Sequence, residues 1–278
     1  MKKYLLILCL LIFSILKTEA AIKVTPTIIE MDTKNAKSNY VTSSFNVQGG
    51  DNETIRFKIY PEYFTISPDG KMQMLGKTEA KDSLINNIKF VPSEFTLQNG
   101  RPQKVRLTIT DFNKLPDGES RLVLFLEDVK PKEVILPNNY KNVSTKLLVK
   151  TRVGIPVYLD KGNITRKGDI QELNTEINEN NLICTMKISS SGNSKIRYNG
   201  KAQIIKNKNL IDEFQIQKHV IGSNNFLMAQ EKFPLNKIEE NGEYKIRIIL
   251  QYKDENQKNK NLIKESTFII DDKTKPTI

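Results

Sequence analysis

The chain has 278 residues, 43 Lys and Arg against 32 Asp and Glu, a formal net charge of +11, one histidine and two cysteines. So few histidines and cysteines exclude a multi-histidine metal centre and a disulfide-stapled small fold, so stability has to come from hydrophobic cores. The basic excess is spread through a Lys-, Asn- and Ile-rich sequence with no Arg cluster or RNA-binding motif. No nucleic-acid partner is expected on that pattern, although a basic exterior favours an anionic partner or surface.

In chain order, Met1-Lys2-Lys3 is a short cationic start and Leu5 to Leu16 a continuous apolar run. That run is shorter than the roughly 20 residues that span a bilayer. Thr18-Glu19-Ala20 then places small residues at the −3 and −1 positions of a cleavage site before Ala21. Residues 1–20 therefore read as a secretory signal peptide, and the mature protein is expected to be exported, without a membrane span, and periplasmic, with an extracellular location as the alternative. Lys2, Lys3, Lys17 and Glu19 carry two of the eleven net positive charges, which leaves +9 on the mature part.

Beyond the signal, helical periodicity is scarce, and short β-branched and aromatic segments are bounded by Gly, Pro, Asn and Asp. The fold class is all-β. The spacing predicts strands over 22–31, 41–47, 55–63, 90–97, 103–110, 121–128 and 143–159, the number of an immunoglobulin-like sandwich. Val105, Leu107 and Ile109 alternate with Arg106, Thr108 and Thr110, as a half-buried strand requires. Ser67-Pro68-Asp69-Gly70 and Leu115-Pro116-Asp117-Gly118 carry turn chemistry, with Pro fixing φ and Gly free to take it positive.

The pattern resets over 160–167, giving an N-terminal domain over 21–159 and a C-terminal domain over 160–278. Strands are expected in the second over 170–178, 182–189, 198–206, 210–217, 226–233, 243–252 and 264–270, with a solvated hairpin loop over 253–261 and a frayed tail from 271. Cys184, in Leu182-Ile183-Cys184-Thr185-Met186, reads as a buried strand residue. His219 is the only histidine, and no serine carries a nucleophile motif, so no catalytic residue, cofactor or metal site is expected and the protein is not read as an enzyme.

One region is more specific. Phe95-Thr96-Leu97-Gln98-Asn99-Gly100-Arg101-Pro102-Gln103-Lys104-Val105-Arg106-Leu107, followed by Leu115-Pro116-Asp117-Gly118-Glu119-Ser120-Arg121-Leu122-Val123-Leu124-Phe125, resembles the first domain of the periplasmic pilus-assembly chaperones of the chaperone/usher pathway. Val24-Thr25-Pro26-Thr27 and Lys150 to Leu159 fall where that family has its first and last strands.

The resemblance implies two immunoglobulin-like sandwiches in tandem, set in an L shape. It also implies a chaperone that binds pilin-like or other exported subunits by lending them an edge strand and delivers them to an outer-membrane usher. The implied donor residues are Val143, Thr145, Leu147 and Val149, which alternate on one face of a strand; the same four would equally fill the domain's own core. The loop over 131–141, with Val134, Ile135 and Leu136 between prolines, would lead into that strand.

The family's two carboxylate-anchoring cations align with Ile28 and Gly154 here, neither of them basic, so Arg152, two residues before Gly154 on the same face, is the candidate replacement, with Lys23 or Lys150 as further candidates to contribute. Glu119 matches an acidic residue that fixes the interdomain angle in the family, but Tyr158 stands where its Arg partner would be. A structural or adhesive extracellular protein with paired immunoglobulin-like domains is the competing reading, because sandwiches host many functions.

Overall fold

The computed structural model describes residues 22–49, 54–76, 80–98, 100–136, 145–238 and 240–271. The expected signal peptide, Val143 and the tail beyond Asp271 lie outside these residues. Among them, no helix is long and apolar enough to cross a membrane.

The first half contains β1 (Ile22–Thr25), β2 (Ile29–Asp32), β3 (Tyr40–Gly49), β4 (Ile55–Ile66), β5 (Met72–Gly76), β6 (Ile88–Val91), β7 (Glu94–Leu97), β8 (Gln103–Thr110), β9 (Gly118–Asp128), β10 (Lys132–Leu136), β11 (Thr145–Val149) and β12 (Arg152–Lys161). One sheet has the order β1-β3-β8-β6, and the other β2-β12-β9-β4-β5, with β7 also paired to β4. Phe45, Val47, Val105, Leu107 and Ile109 of the first sheet meet Phe57, Ile59, Leu122, Leu124, Leu126, Ile155 and Val157 of the second in one buried cluster. Burial of each such side chain contributes about 1.5–3 kcal/mol.

Two of the predicted strands are divided between the sheets. The expected strand over 22–31 breaks at Pro26, so that β1 pairs with β3 while β2 runs parallel to β12. The strand over 90–97 breaks at Pro92, so that β6 pairs with β8 and β7 with β4. Proline has no N–H to continue a ladder, and here it marks where the chain changes sheet. The strand expected over 143–159 is likewise two, β11 and β12, and the 131–141 loop contains β10.

β9 is buried on both faces. Its inner side chains are in the sandwich core, whereas Val123 and Phe125 join Phe64, Ile66 and Tyr158 in a second apolar cluster on the outer face.

The second half contains β13 (Gly168–Asn178), β14 (Asn181–Ser190), β15 (Ile196–Lys206), β16 (Asn209–Ile221), β17 (Asn225–Pro234), β18 (Gly242–Lys253) and β19 (Asn259–Ile270). Sheet β13-β14-β17 packs on sheet β16-β15-β18-β19 around Leu182, Met186, Ile188, Ile204, Ile246, Ile248 and Leu250. Cys184 is fully buried in this core, and burial, with Glu231 nearby, pushes its thiol up to about 12. It is a packing residue, not a nucleophile. The 253–261 stretch is tighter than expected: Asp254 caps the turn, accepting hydrogen bonds from the backbone N–H groups of Asn256 and Lys258, each at 2.9 Å.

The two halves meet through the β4–β5 turn as well as through β2 and β9. Met228 donates its N–H to the Pro68 carbonyl at 2.7 Å, and the Asn225 side-chain amide donates to the Ile66 carbonyl at 2.8 Å. Gly70, at φ 77, lies so close that a Cβ there would meet Leu227 at 3.0 Å.

Leu124 is fully buried and Leu148 is 66% exposed. Leu124→Ala is expected to destabilise the protein by about 3 kcal/mol, and Leu148→Ala by less than about 0.5 kcal/mol, read as urea midpoints with unchanged slope.

Candidate functional site

β9 ends at Asp128, whose N–H donates to the Thr151 carbonyl at 3.0 Å and whose carboxylate accepts the Lys130 N–H at 3.0 Å. From this root β10 and β11 form an antiparallel pair with Val134 opposite Leu147, Glu133 opposite Leu148 and Lys132 opposite Val149. Among the described residues the pair is a two-stranded sheet of its own, joined to neither sandwich sheet. Among its described apolar side chains, Val134 is 41% exposed, Leu147 48% and Val149 40%.

Leu147 and Val149 thus lie outside the sandwich core that they would equally have suited. Thr145 is the first residue of β11, opposite Leu136. Leu148, on the other face, is also exposed, so apolar character is present on both sides of the ribbon. Lys150, just past β11, ties the root down through Glu127 at 3.2 Å.

The outer face of β4, β9 and β12 continues from this root. Gly154 is opposite Phe125, and a Cβ at Gly154 would meet the Phe125 ring at 3.0 Å and Val123 at 3.1 Å. The ring takes up the space that a side chain would need.

Arg152 closes over it, its guanidinium carbon 3.3 Å from the Phe125 ring centroid and 5.6 Å from that of Tyr60, with an ion pair to Glu62 at 3.1 Å. Such stacking suits the planar, weakly hydrated guanidinium. Arg152 is therefore already engaged by a carboxylate and two rings. Beside it the Tyr60 hydroxyl donates to Glu127 at 2.6 Å. That bond, with Lys58 and Lys150, holds the Glu127 carboxyl down to about 2, while burial and Glu127 push the Tyr60 phenol up to about 12.

The sequence left Glu119 without a partner; the structure supplies one from the other sandwich. Lys195 donates to the Glu119 carboxylate twice, through its backbone N–H at 3.1 Å and its ammonium at 3.0 Å, and Arg121 approaches at 3.4 Å. The Glu119 side chain is 0% exposed and that of Lys195 5%. Arg121 is in turn paired to Asp82 at 2.6 Å. Tyr158, in the place of the expected Arg, forms the floor, with the Lys195 ammonium 3.8 Å from its ring centroid. Nothing in the sequence marks Lys195, which lies 76 positions from Glu119.

Nearer the surface, Glu30 of β2 receives Arg197 at 3.0 and 3.2 Å and Lys195 at 3.2 Å. Burial raises the Glu30 carboxyl, but Lys195 and Arg197 outweigh it and hold it below its ordinary value. Behind this pair opens a cleft of about 600 Å³ lined by Ile28, Glu30, Lys195, Arg197, Lys218 and Lys253 among others. Ile28, at one of the two aligned family positions, is thus a wall of a cleft whose cations come from the second half. Among the described residues no group of His, Cys, Asp and Glu could hold a metal ion.

Removing one partner from a buried pair leaves an uncompensated charge, so Lys195→Met is expected to cost about 3–5 kcal/mol, and Glu119→Gln added to it to restore a substantial part, in a double-mutant cycle by urea unfolding. Glu127 and Glu30 both have folded values below the ordinary 4.5. Their contribution to stability is complete above that value and is lost as pH falls through the folded ones, for Glu127 near 2. Glu127→Gln should therefore flatten the acid limb of a plot of urea midpoint against pH.

No protein-family model matches the sequence, and no curated protein matches it. Solved structures similar to the chain include the class 5 fimbriae chaperone CfaA, at 16% identity and a TM-score of 0.42 over 88% of this chain and 98% of that one. A second is the chaperone–tip adhesion subunit complex CsuC–CsuE from the archaic chaperone-usher Csu pili of Acinetobacter baumannii, at 15% identity and a TM-score of 0.46 over 87% and 98%. A third is the Pseudomonas aeruginosa CupB2 chaperone, at 9% identity and a TM-score of 0.43 over 87% and 98%.

Proposed function

We propose that this protein is a non-enzymatic periplasmic chaperone that holds exported pilin-like subunits by strand addition through β11 and passes them to an outer-membrane usher. The observation that carries the reading is the β10–β11 ribbon, which leaves Val134, Leu147, Leu148 and Val149 exposed and pairs with neither sandwich. A two-stranded ribbon has little stability of its own, and its free edge offers unpaired N–H and C=O groups to another chain. Apolar side chains alternating along such an edge fit the pockets of a partner sheet that lacks a strand, which is the chemistry of β-augmentation.

The motif resemblance described above agrees with this assignment. The Leu115 to Ser120 segment leads into β9, the strand whose far end carries the ribbon, and Glu119 within it joins the two sandwiches. Arg152, next to the ribbon on the outer face, is assigned to supporting the aromatic surface under a bound subunit, since Glu62 already neutralises its charge.

The test is to replace Leu147 and Val149 by Thr in the full chain and measure the subunit that co-purifies from cells expressing it. The pair is expected to lower the recovered subunit about tenfold or more while the urea midpoint stays within about 0.5 kcal/mol of wild type. Undiminished recovery from a folded double variant would reject strand donation through β11.

A further inference from the structure

The two sheets of the first sandwich manage their outward charges differently. On and beside the sheet that contains β9, the cations are answered: Arg56 by Glu94, Lys58 and Lys150 by Glu127, and Arg152 by Glu62. On the sheet β1-β3-β8-β6, Lys23, Lys89, Lys104 and Arg106 are all exposed, and none has an ion pair among the described residues.

Alternation puts these four on one side. Val105, Leu107 and Ile109 turn into the core, so Lys104, Arg106 and Thr108 turn outward. Pairing then sets Lys104 beside Asn46, Arg106 between Ser44 and Val91, Lys89 beside Thr108 and Lys23 beside Gln48. The other outward residues of these strands are Thr25, Tyr40, Thr42 and Thr110, so the face carries four positive charges and no carboxylate. Lys104 and Arg106 are one pleat repeat apart, about 7 Å, and Lys89 is one strand over and one repeat along from Arg106, about 8 Å. Such spacings are within the screening length of about 10 Å in dilute salt, so the three potentials add.

The face is unlike a protein interface, which centres on buried aromatic or aliphatic anchors and is depleted in lysine. Its middle is Ser44, Arg106 and Thr108, with the hydroxyls of Thr42 and Thr108 bonded to each other at 3.0 Å. The exposed apolar side chains are at its rim: Val91, 70% exposed, on the edge strand β6, and Tyr40, 56% exposed, at the start of β3. Short polar residues between long cationic ones let the ammonium and guanidinium groups reach a flat anionic plane together.

We propose that the outer face of β1-β3-β8-β6 docks on the surface of an anionic phospholipid bilayer, with Lys23, Lys89, Lys104 and Arg106 against the phosphates and Tyr40 and Val91 at the headgroup boundary. Each basic residue near such a surface multiplies the partition about fivefold, so the attachment is electrostatic and reversible. In this pose the opposite sheet, whose strand β9 carries the ribbon at its end, faces away from the membrane. The inference does not rest on strand donation.

The experiment takes the chain from Ala21, the expected product of signal cleavage, and sediments it with vesicles of phosphatidylcholine alone or mixed with phosphatidylglycerol. The wild type is expected to sediment with the mixed vesicles only and to be released as salt is raised. Lys104→Gln with Lys89→Gln, both at exposed positions, should lower the partition about tenfold or more, as two cations at about fivefold each require. The comparison is Lys208→Gln with Lys218→Gln, exposed in the second sandwich and without ion pairs among the described residues. It removes the same charge from another surface and should change the partition less than about threefold. Urea midpoints of all three proteins are expected to coincide.

Equal sedimentation with phosphatidylcholine alone, no sedimentation with the mixed vesicles, or an equal loss from the two lysine pairs would each overturn the proposal. The second result would leave an acidic protein as the complement of the face, and the third would reduce the effect to net charge. The ribbon is unaltered in both variants, so their subunit recovery should match wild type, which keeps this test separate from that of Leu147 and Val149.

Discussion

The Glu119 carboxylate is wholly out of water, and the charges that make that tolerable come from two places, Arg121 on its own strand and Lys195 on the other sandwich. A carboxylate in that position is costly unless its partners are held in place. The requirement ties the start of β9 to the start of β15, and so fixes the second sandwich against the sheet whose central strand is β9. The Tyr158 ring under the Lys195 ammonium and the Pro68–Met228 backbone bond lie on the same seam. The cleft owes its walls to this seam, since Ile28 and Glu30 come from one side of it and Arg197, Lys218 and Lys253 from the other.

β9 transmits the constraint in the other direction. Its first residues carry the clamp, its middle is buried on both faces, and its last residue anchors the ribbon through Thr151. Arg152, Phe125 and Glu62 cover the outer face between these ends. Arg152 thus lies over Phe125 near the ribbon root, and Lys195 and Arg197 lie over Tyr158 near the cleft.

Much of the architecture is legible in the sequence because it depends on local alternation and turn chemistry. Val105, Leu107 and Ile109 face the core as their spacing requires, and the strands of the second half differ from expectation mainly at their ends. What the pattern misses is long-range. Pro26 and Pro92 move the chain from one sheet to the other, which alternation on either side cannot reveal. β5 is exposed along most of its length and so carries no apolar period, and the Val134-Ile135-Leu136 triplet reads as a loop because prolines bracket it. Within the site, Leu147 and Val149 are identifiable by sequence position, but whether they face core or water is decided only by where the ribbon goes. Lys195 is invisible for the same reason: its meaning comes from a carboxylate far away in the chain.

The ribbon has a cost when no partner is present. Apolar side chains on an unpaired edge are what two copies of a chain need to start stacking on one another, and the strand flanks here are charged: Lys132 and Glu133 on β10, Lys146 on β11, with Lys146 and Glu133 paired at 2.5 Å. Charges interleaved with an apolar edge act as gatekeepers against uncontrolled pairing. The sequence of the ribbon is therefore a compromise between two demands. On the proposed strand donation, it is apolar enough to enter another protein's sheet and charged enough to hold back pairing between copies of itself.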